Sequence, residues 1–267
     1  MLPAGRESRP RKRFGQHFLH DPAVIERIAA AIAPQSGDAV VEIGPGRGAL
    51  TGRLLASDCG SLDAIEIDRD LAALLRAEWG EDSRFHLHNE DALQVDFGAL
   101  ARRRGRRLRV VGNLPYNIST PLLFHLLQSV SDIHDLHVML QREVIARMAA
   151  QPGDRAYGRL TVMLAPWVQV ERLFDVGPGA FRPPPRVWSA VARLVVRTGP
   201  AFPLCPAFPA VVAAAFSHRR KTLRNALRGF ATAEQIEACG VDPSARPETI
   251  SPALFNAIAG KVKLASG

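Results

Sequence analysis

Val40-Val41-Glu42-Ile43-Gly44-Pro45-Gly46-Arg47-Gly48-Ala49 is an apolar run that stops at a group of glycines and opens into a helical pattern over Ala49–Ala56. Glycines after a strand let the backbone approach a ligand, and the first turn of the next helix leaves N–H groups free to meet it. Outward from this stretch the same alternation repeats. Asp38–Ile43, Ser61–Ile67, Phe85–His88, Arg109–Val111 and Leu136–Leu140 read as strands, and Leu71–Trp79, Thr120–Ser129 and Glu143–Ala150 as helices between and after them. Strand and helix in turn with short loops predict βαβ units, a parallel sheet covered on both faces and an α/β fold. Two later apolar runs, Arg159–Val170 and Ser189–Val196, are expected to close the sheet as a hairpin-like pair.

After Thr198 the pattern changes. Gly199, Pro200, Pro203, Pro206 and Pro209 mark a linker, and beyond it only helical patterns remain, over Ala210–Phe230, Ala233–Ala238 and Pro252–Val262. The expected organisation is an α/β domain over residues 1–198, with residues 1–20 a basic N-terminal arm, and a small helical domain over 199–267. Hydrophobic residues at 47% and charged residues at 22% exclude a disordered or collagen-like chain.

The formal net charge is +8, and thirty of the 34 cations are arginine, which points to a polyanionic partner such as nucleic acid. Three basic features stand out: the segment Arg9–Arg13, the loop Arg102–Arg107, and a helix over Ser217–Phe230. That helix carries Arg220, Arg224 and Arg228 at i, i+4, i+8 with Lys221 beside them, and Leu223, Leu227 and Phe230 on another face. These four cations are the candidate RNA contacts. Cys59, Cys205 and Cys239 form no pair, which suggests a reducing compartment and no zinc site. The scattered histidines read as packing or surface residues, and no metal is expected. With no apolar run of membrane-spanning length and no secretory signal, a soluble cytoplasmic protein is expected.

Twenty-two positions after Gly44, Glu66 ends the second strand, where a carboxylate can accept the hydroxyl protons of a ribose. Gly44, Gly46 and Ala49 also satisfy the dinucleotide pattern G-x-G-x-x-A, so the loop alone does not choose the nucleoside cofactor. Asp91 ends the third strand on the same carboxyl edge, as a ligand contact or a helix N-cap. Gly112-Asn113-Leu114-Pro115-Tyr116 at the end of the fourth strand is more specific. An exocyclic adenine amine is a poor nucleophile because its lone pair is delocalised into the ring. The Asn113 side-chain carbonyl and the Leu114 backbone carbonyl can accept its hydrogens and so localise that pair toward an electrophile. Pro115 fixes φ and holds the carbonyls in place, and Tyr116 offers a ring for the base. Phe181 precedes Arg182-Pro183-Pro184-Pro185-Arg186, a stiff run expected to hold its ring over the opposite face of the base.

Taken with Arg13–Leu19, Glu66-Ile67-Asp68, Asp91-Ala92, Gly112–Ser119, Leu140–Val144, Ala156–Leu160, Phe181–Val187 and Arg219–Asn225, the glycine loop makes the chain resemble one family nearly end to end. This is the bacterial small-subunit ribosomal RNA adenine N6,N6-dimethyltransferases, which confer kasugamycin sensitivity. The resemblance implies a Rossmann-like class I methyltransferase sheet with a small C-terminal all-helical domain. It implies S-adenosyl-L-methionine as methyl donor. The implied acceptors are two adjacent adenosines near the 3′ end of 16S rRNA, in the 30S subunit or its precursor, with a role in subunit assembly. A monomer is expected. By motif, His17, Leu19, Gly44, Gly46, Glu66, Asp91 and Asn113 would line the cofactor site, and Asn113, Leu114, Pro115, Tyr116 and Phe181 the target-base site. His17 stands where some members carry asparagine, and the 102–107 arginines have no counterpart in the family pattern. The alternatives are a large-subunit rRNA adenine methyltransferase of the macrolide-resistance type, a non-catalytic ribosome-assembly or transcription factor that kept the fold, and, weakest, a nicotinamide dehydrogenase.

Overall fold

The computed structural model describes residues 16–217 and 220–262. Its sheet is built around β2 (Ala39–Ile43), all five residues of which are buried. A strand covered on both faces reads as a continuous apolar run, not an alternating one. β2 lies parallel to β3 (Ser61–Ile65) on one side, with Val40 opposite Leu62. On its other side it lies parallel to β5 (Leu108–Asn113), with Val41 opposite Val110. β4 (Phe85–His88) adds outside β3 and β6 (Ile133–Gln141) outside β5, both parallel. β9 (Ser189–Val196) runs antiparallel to β6, and β7 (Val168–Val176) completes the order β4-β3-β2-β5-β6-β9-β7. The chain leaves β2 first for β3 and later for β5 on the opposite side. That reversal opens a crevice outside the carboxyl ends of β2 and β5.

Helices α1 (Pro22–Ile32), α2 (Ala49–Leu55) and α3 (Arg69–Trp79) share a core with the sheet, in which Ile28, Leu54 and Leu75 join Val40, Leu62 and Val111. Gly48 precedes α2 at φ 78°, and a Cβ there would come within 2.2 Å of the Trp79 ring, so this turn needs glycine on both counts. α4 (Phe97–Arg104) and α5 (Ser119–Leu127) follow β4 and β5. Asp21, Asp68 and Asp96 cap α1, α3 and α4 by accepting N–H groups of their first turns. The 102–107 arginines are therefore not a loop, as the sequence pattern predicts. Arg102–Arg104 form the last turn of α4, Arg104 grips the fully buried Asp63 at 2.6 and 2.8 Å, and Arg107 donates to the Ile133 carbonyl. Cations in a last helical turn also meet the negative end of its dipole.

One buried ion network ties the opposite edge of the sheet together. Arg109 on β5 donates to both Asp135 carboxylate oxygens at 3.0 and 2.9 Å and to Asp38 at 2.7 Å. It also donates to the Ile32 carbonyl at the C-terminus of α1 at 2.8 Å. Burial alone would raise the Asp135 carboxyl, but the hydrogen bonds and charge of Arg109 carry it below the ordinary value.

The chain divides into two compact units, residues 1–145 with 171–196 and residues 146–170 with 197–267. This corrects the single boundary at residue 199. α6 (Arg142–Met148) crosses from one unit to the other, and α7 (Arg159–Leu164) belongs to the second. Ala150, Tyr157 and Val162 pack in one core with Phe208, Val211, Leu223, Ile236 and Phe255. The buried Tyr157 hydroxyl donates to the Ile250 carbonyl at 2.7 Å. The apolar run at 159–170 is accordingly split: its first half is helix, and only its end enters β7, the sheet neighbour of β9.

The rest of the second unit holds α8 (Phe208–Ala215), α9 (Leu223–Ala226), α10 (Ala233–Glu237) and α11 (Pro252–Ala259). The helix expected over Ser217–Phe230 shrinks to α9. Thr222 is extended, and the amides of Leu223 and Arg224 donate to the Ala245 and Pro243 carbonyls, while Gly229 turns at φ 90°. Arg220 and Lys221 precede α9 and Arg228 follows it, so these cations do not form one helical stripe. All three are exposed, as is Arg224. Leu223 and Leu227 are buried as expected, but Phe230 is exposed. The segment Arg9–Arg13 lies outside the described residues. No described helix is long and apolar enough to cross a membrane.

Candidate active site

The crevice at the carboxyl edge brings together residues from four consecutive parallel strands. Gly44 and Gly46 leave β2, Glu66 leaves β3, Asp91 leaves β4, and Asn113 to Tyr116 leave β5, with His17 on the near rim. Gly44 and Gly46 adopt φ 68° and 60°, and a Cβ on Gly46 would press to 3.1 Å from the Phe18 ring. The Gly46 N–H donates to Glu66 Oε2 at 3.1 Å and the Asp68 N–H to Oε1 at 2.9 Å. Glu66 thus clamps the glycine loop, and each oxygen keeps acceptor capacity for a further donor. Burial raises its carboxyl above the ordinary value, against these two hydrogen bonds. Asp91 accepts the Leu93 N–H at 2.9 Å, which fixes it at the head of a turn while it lines the cleft. Both roles foreseen for it, cap and wall, are therefore combined.

Asn113 is oriented by one bond. Its Nδ2 donates to the His17 carbonyl at 3.0 Å, which leaves Oδ1 as the acceptor available in the cleft. The Leu114 N–H donates to the Met139 carbonyl at 3.1 Å, anchoring that peptide to β6. The Tyr116 hydroxyl and Ser189 Oγ lie 2.6 Å apart, and burial raises the phenol above its ordinary value. The Tyr116 ring stacks with His17 at 5.8 Å between centroids and 29° between planes. His17 Nδ1 is in turn 2.8 Å from the Pro183 carbonyl. Ser189 and Pro183 were not foreseen as parts of this site. A serine opening a strand carries no signal of its own, whereas the proline run was noticed for a different reason.

Phe181 departs from expectation. It is 1% exposed, packs in the core shared by α1, α2 and the sheet, and lines neither this cleft nor the smaller cavity beside it. β1 (Phe18–Leu19) pairs antiparallel with β8 (Phe181–Arg182), Leu19 opposite Phe181, so the ring braces the strand that presents His17. The proline run contributes a carbonyl to His17 instead of aiming an aromatic face at a base.

Leu19, also named for the cofactor site, lines the smaller cavity under the glycine loop together with Glu42 and His137. Burial drives the His137 ring down to about 4, so it is neutral near pH 7. Burial pushes the Glu42 carboxyl up to about 7, despite the hydrogen bond donated by Thr51 Oγ1 at 2.6 Å and helped by the Glu66 charge. The folded state keeps this proton while the unfolded chain releases it near 4.5, so stability falls as pH rises from about 4.5 to about 7. Glu42→Gln removes that dependence. Urea melts are expected to show the variant gaining about 3 kcal/mol on the parent between pH 4 and pH 8. Parallel pH profiles for the two proteins would refute the buried, protonated carboxyl.

Residues 7–263 match the family described as "Ribosomal RNA adenine dimethylase". The chain belongs to the ribosomal RNA adenine dimethylase family. Among relatives of this dimethylase family, "Ribosomal RNA small subunit methyltransferase A" of Nitrosococcus oceani is 56% identical over 245 residues, covering 91% of this chain and 92% of the relative. The protein of the same name from Pseudomonas aeruginosa is 52% identical over 258 residues, 96% of each chain. Among solved structures, the 23S rRNA methyltransferase ErmE superposes with a TM-score of 0.70 at 25% identity, over 92% of this chain and 99% of that one. A dimethyladenosine transferase from Plasmodium falciparum superposes with a TM-score of 0.75 at 24% identity, over 91% and 96%, and supports the shared fold. A nicotinamide dehydrogenase is thereby set aside. The identity of over half to small-subunit enzymes favours them over the large-subunit type.

Proposed function

We propose that this chain transfers methyl groups from S-adenosyl-L-methionine to N6 of two adjacent adenosines near the 3′ end of 16S rRNA, producing N6-dimethyladenosines. In this reading it acts as a cytoplasmic monomer on the 30S particle or its precursor and contributes to small-subunit assembly. The observation that carries it is Asn113, held by the His17 carbonyl with Oδ1 free, in one cleft with Glu66 and Asp91.

The donor set suits a nucleoside cofactor: positive-φ glycines without Cβ atoms, a buried carboxylate after β3 and another after β4. Glu66 would hold the ribose hydroxyls, Asp91 the adenine amine, and His17, Leu19, Gly44, Gly46 and Asn113 the remaining contacts. When bound, S-adenosylmethionine supplies an electrophilic methyl group. Asn113 Oδ1 and the Leu114 carbonyl accept the hydrogens of the target amine and localise its lone pair. Pro115 holds the peptide and Tyr116, anchored by Ser189, stacks on the base. No general base is required before attack, because the amine becomes acidic only after it has gained the methyl. Arg220, Lys221, Arg224 and Arg228 would grip rRNA phosphates, which position RNA without reading its bases.

The direct test maps methylated positions in 16S rRNA from cells with and without this protein. The expected result is loss of the two adjacent dimethyladenosines. Unchanged 16S rRNA with loss at a large-subunit adenosine would assign the chain to the alternative substrate. Glu66→Ala is further expected to weaken cofactor binding by about 1–3 kcal/mol, as for a lost charged hydrogen bond. Unaltered affinity in calorimetry would remove Glu66 from the ribose contact.

A further inference from the structure

Trp188 is 50% exposed, the most exposed of the large apolar side chains among the described residues, and Val187 beside it is 44% exposed. One exposed apolar residue needs no explanation, but the setting of this indole is specific. Gly177 lies against the ring, with the position of its absent Cβ 3.6 Å away. The Arg142 guanidinium lies 6.0 Å from the ring centroid, and the Arg142 N–H donates to the Trp188 carbonyl at 2.9 Å. Asp175 lies 3.9 Å from the same guanidinium. Arg182 and Arg186, a few residues earlier, are exposed. The next residue, Ser189, is the one that anchors the Tyr116 hydroxyl. Consecutive Cα atoms are about 3.8 Å apart, so the indole sits one peptide outboard of the target-base site on the same rim.

We propose that Trp188 is a stacking platform for a nucleobase of the single-stranded rRNA that flanks the adenosine at Tyr116, with Arg142, Arg182 and Arg186 meeting that strand's phosphates. This rests on the assignment of the cleft as an rRNA adenine site. The chemistry favours RNA. An indole presents the largest π face of any side chain, and base stacking tolerates any sequence because every base has a π face. Three guanidinium groups around the ring complement a polyanion. Tyr116 reads the base to be methylated, and Trp188 fixes where the strand runs beside it.

The test compares the full chain with Trp188→Ala and Trp188→Phe, using methylation of 30S particles and titration with a single-stranded, adenosine-rich RNA oligonucleotide. Loss of one stacked base is expected to raise KM for the particle about 5- to 150-fold. Turnover at saturation and S-adenosylmethionine affinity should stay at parent values, which separates a stacking role from a structural one. Trp188→Phe should recover most of the affinity. The oligonucleotide should quench indole fluorescence in the parent and leave the Phe variant, which keeps Trp79 and Trp167, largely unquenched. A parent-like KM for Trp188→Ala would overturn the proposal. So would a defect seen only on particles and not with the protein-free oligonucleotide, which would mark this face as a protein contact. If the parent methylated no rRNA, the assignment of the cleft would fall, while the quenching experiment would still decide whether Trp188 stacks on RNA.

Discussion

Asn113→Ala is expected to lower turnover in rRNA methylation by about 10²–10³, the cost of removing one oriented polar group from a reacting centre. The Asn113 side chain has two jobs that alanine cannot do. Its Nδ2 fixes the His17 carbonyl at 3.0 Å, and through His17 it steadies the ring that stacks on Tyr116. Its Oδ1 is left as an acceptor for the target amine, whose lone pair must leave conjugation with the purine before it can attack. The acceptor is most valuable when the amine nitrogen begins to gain positive charge, so the loss belongs mainly to the transition state. Cofactor affinity measured by calorimetry should consequently fall much less than kcat. A variant with near-parent turnover would reduce the Asn113–Tyr116 segment to a turn.

Replacing Arg109 by methionine is expected to destabilise the fold by about 3–5 kcal/mol, the range for breaking a buried ion pair from one side. The guanidinium is 8% exposed and serves Asp135, Asp38 and the Ile32 carbonyl at once. Without it, the fully buried Asp135 keeps only Arg193 at 3.5 Å and nearby histidines. Its carboxyl would then rise instead of lying below the ordinary value, so the variant should lose less additional stability in acid than the parent does. A second replacement, Asp135→Leu, should recover part of the loss, since an apolar pair of similar volume can stand in for a buried ion pair. Denaturant melts of the single and double variants measure both. A loss under about 1 kcal/mol would place this network with ordinary surface pairs.

Why some parts of this molecule were legible in the sequence follows from what sequence patterns encode. The strands of the parallel sheet are near-continuous apolar runs, so Phe85–His88 matches β4 residue for residue and β2 differs by one residue. The ends of such strands fall on one edge, which is why Glu66, Asp91 and Asn113 could be assigned to one cleft before their contacts were seen. What failed was set by partners far away in the chain. The arginines at 102–107 look like a solvated loop until Asp63 and the Ile133 carbonyl are placed beside Arg104 and Arg107. The periodicity of Arg220, Arg224 and Arg228 suggests a helix, but carbonyls of residues 243 and 245 capture the amides on which it would have to propagate. Phe181 was judged by the stiffness of the prolines after it, while its burial is decided by pairing with Leu19. The omission of α1 was avoidable: Asp21 followed by Pro22 is a visible helix start.

The passage of residues 146–170 into the second unit bears on how the protein is made. During translation the sheet unit has all its strands once Val196 has emerged. The face formed by Ala150, Tyr157 and Val162 must wait for Phe208, Leu223, Ile236 and Phe255. Until then a nascent chain carries a finished sheet with an unmatched apolar flap, the kind of surface that attracts chaperones and nonspecific association. A gene cut after the sheet would make that waiting state permanent. The helical C-terminus is thus no detachable accessory, because it supplies the missing half of a core begun fifty residues upstream.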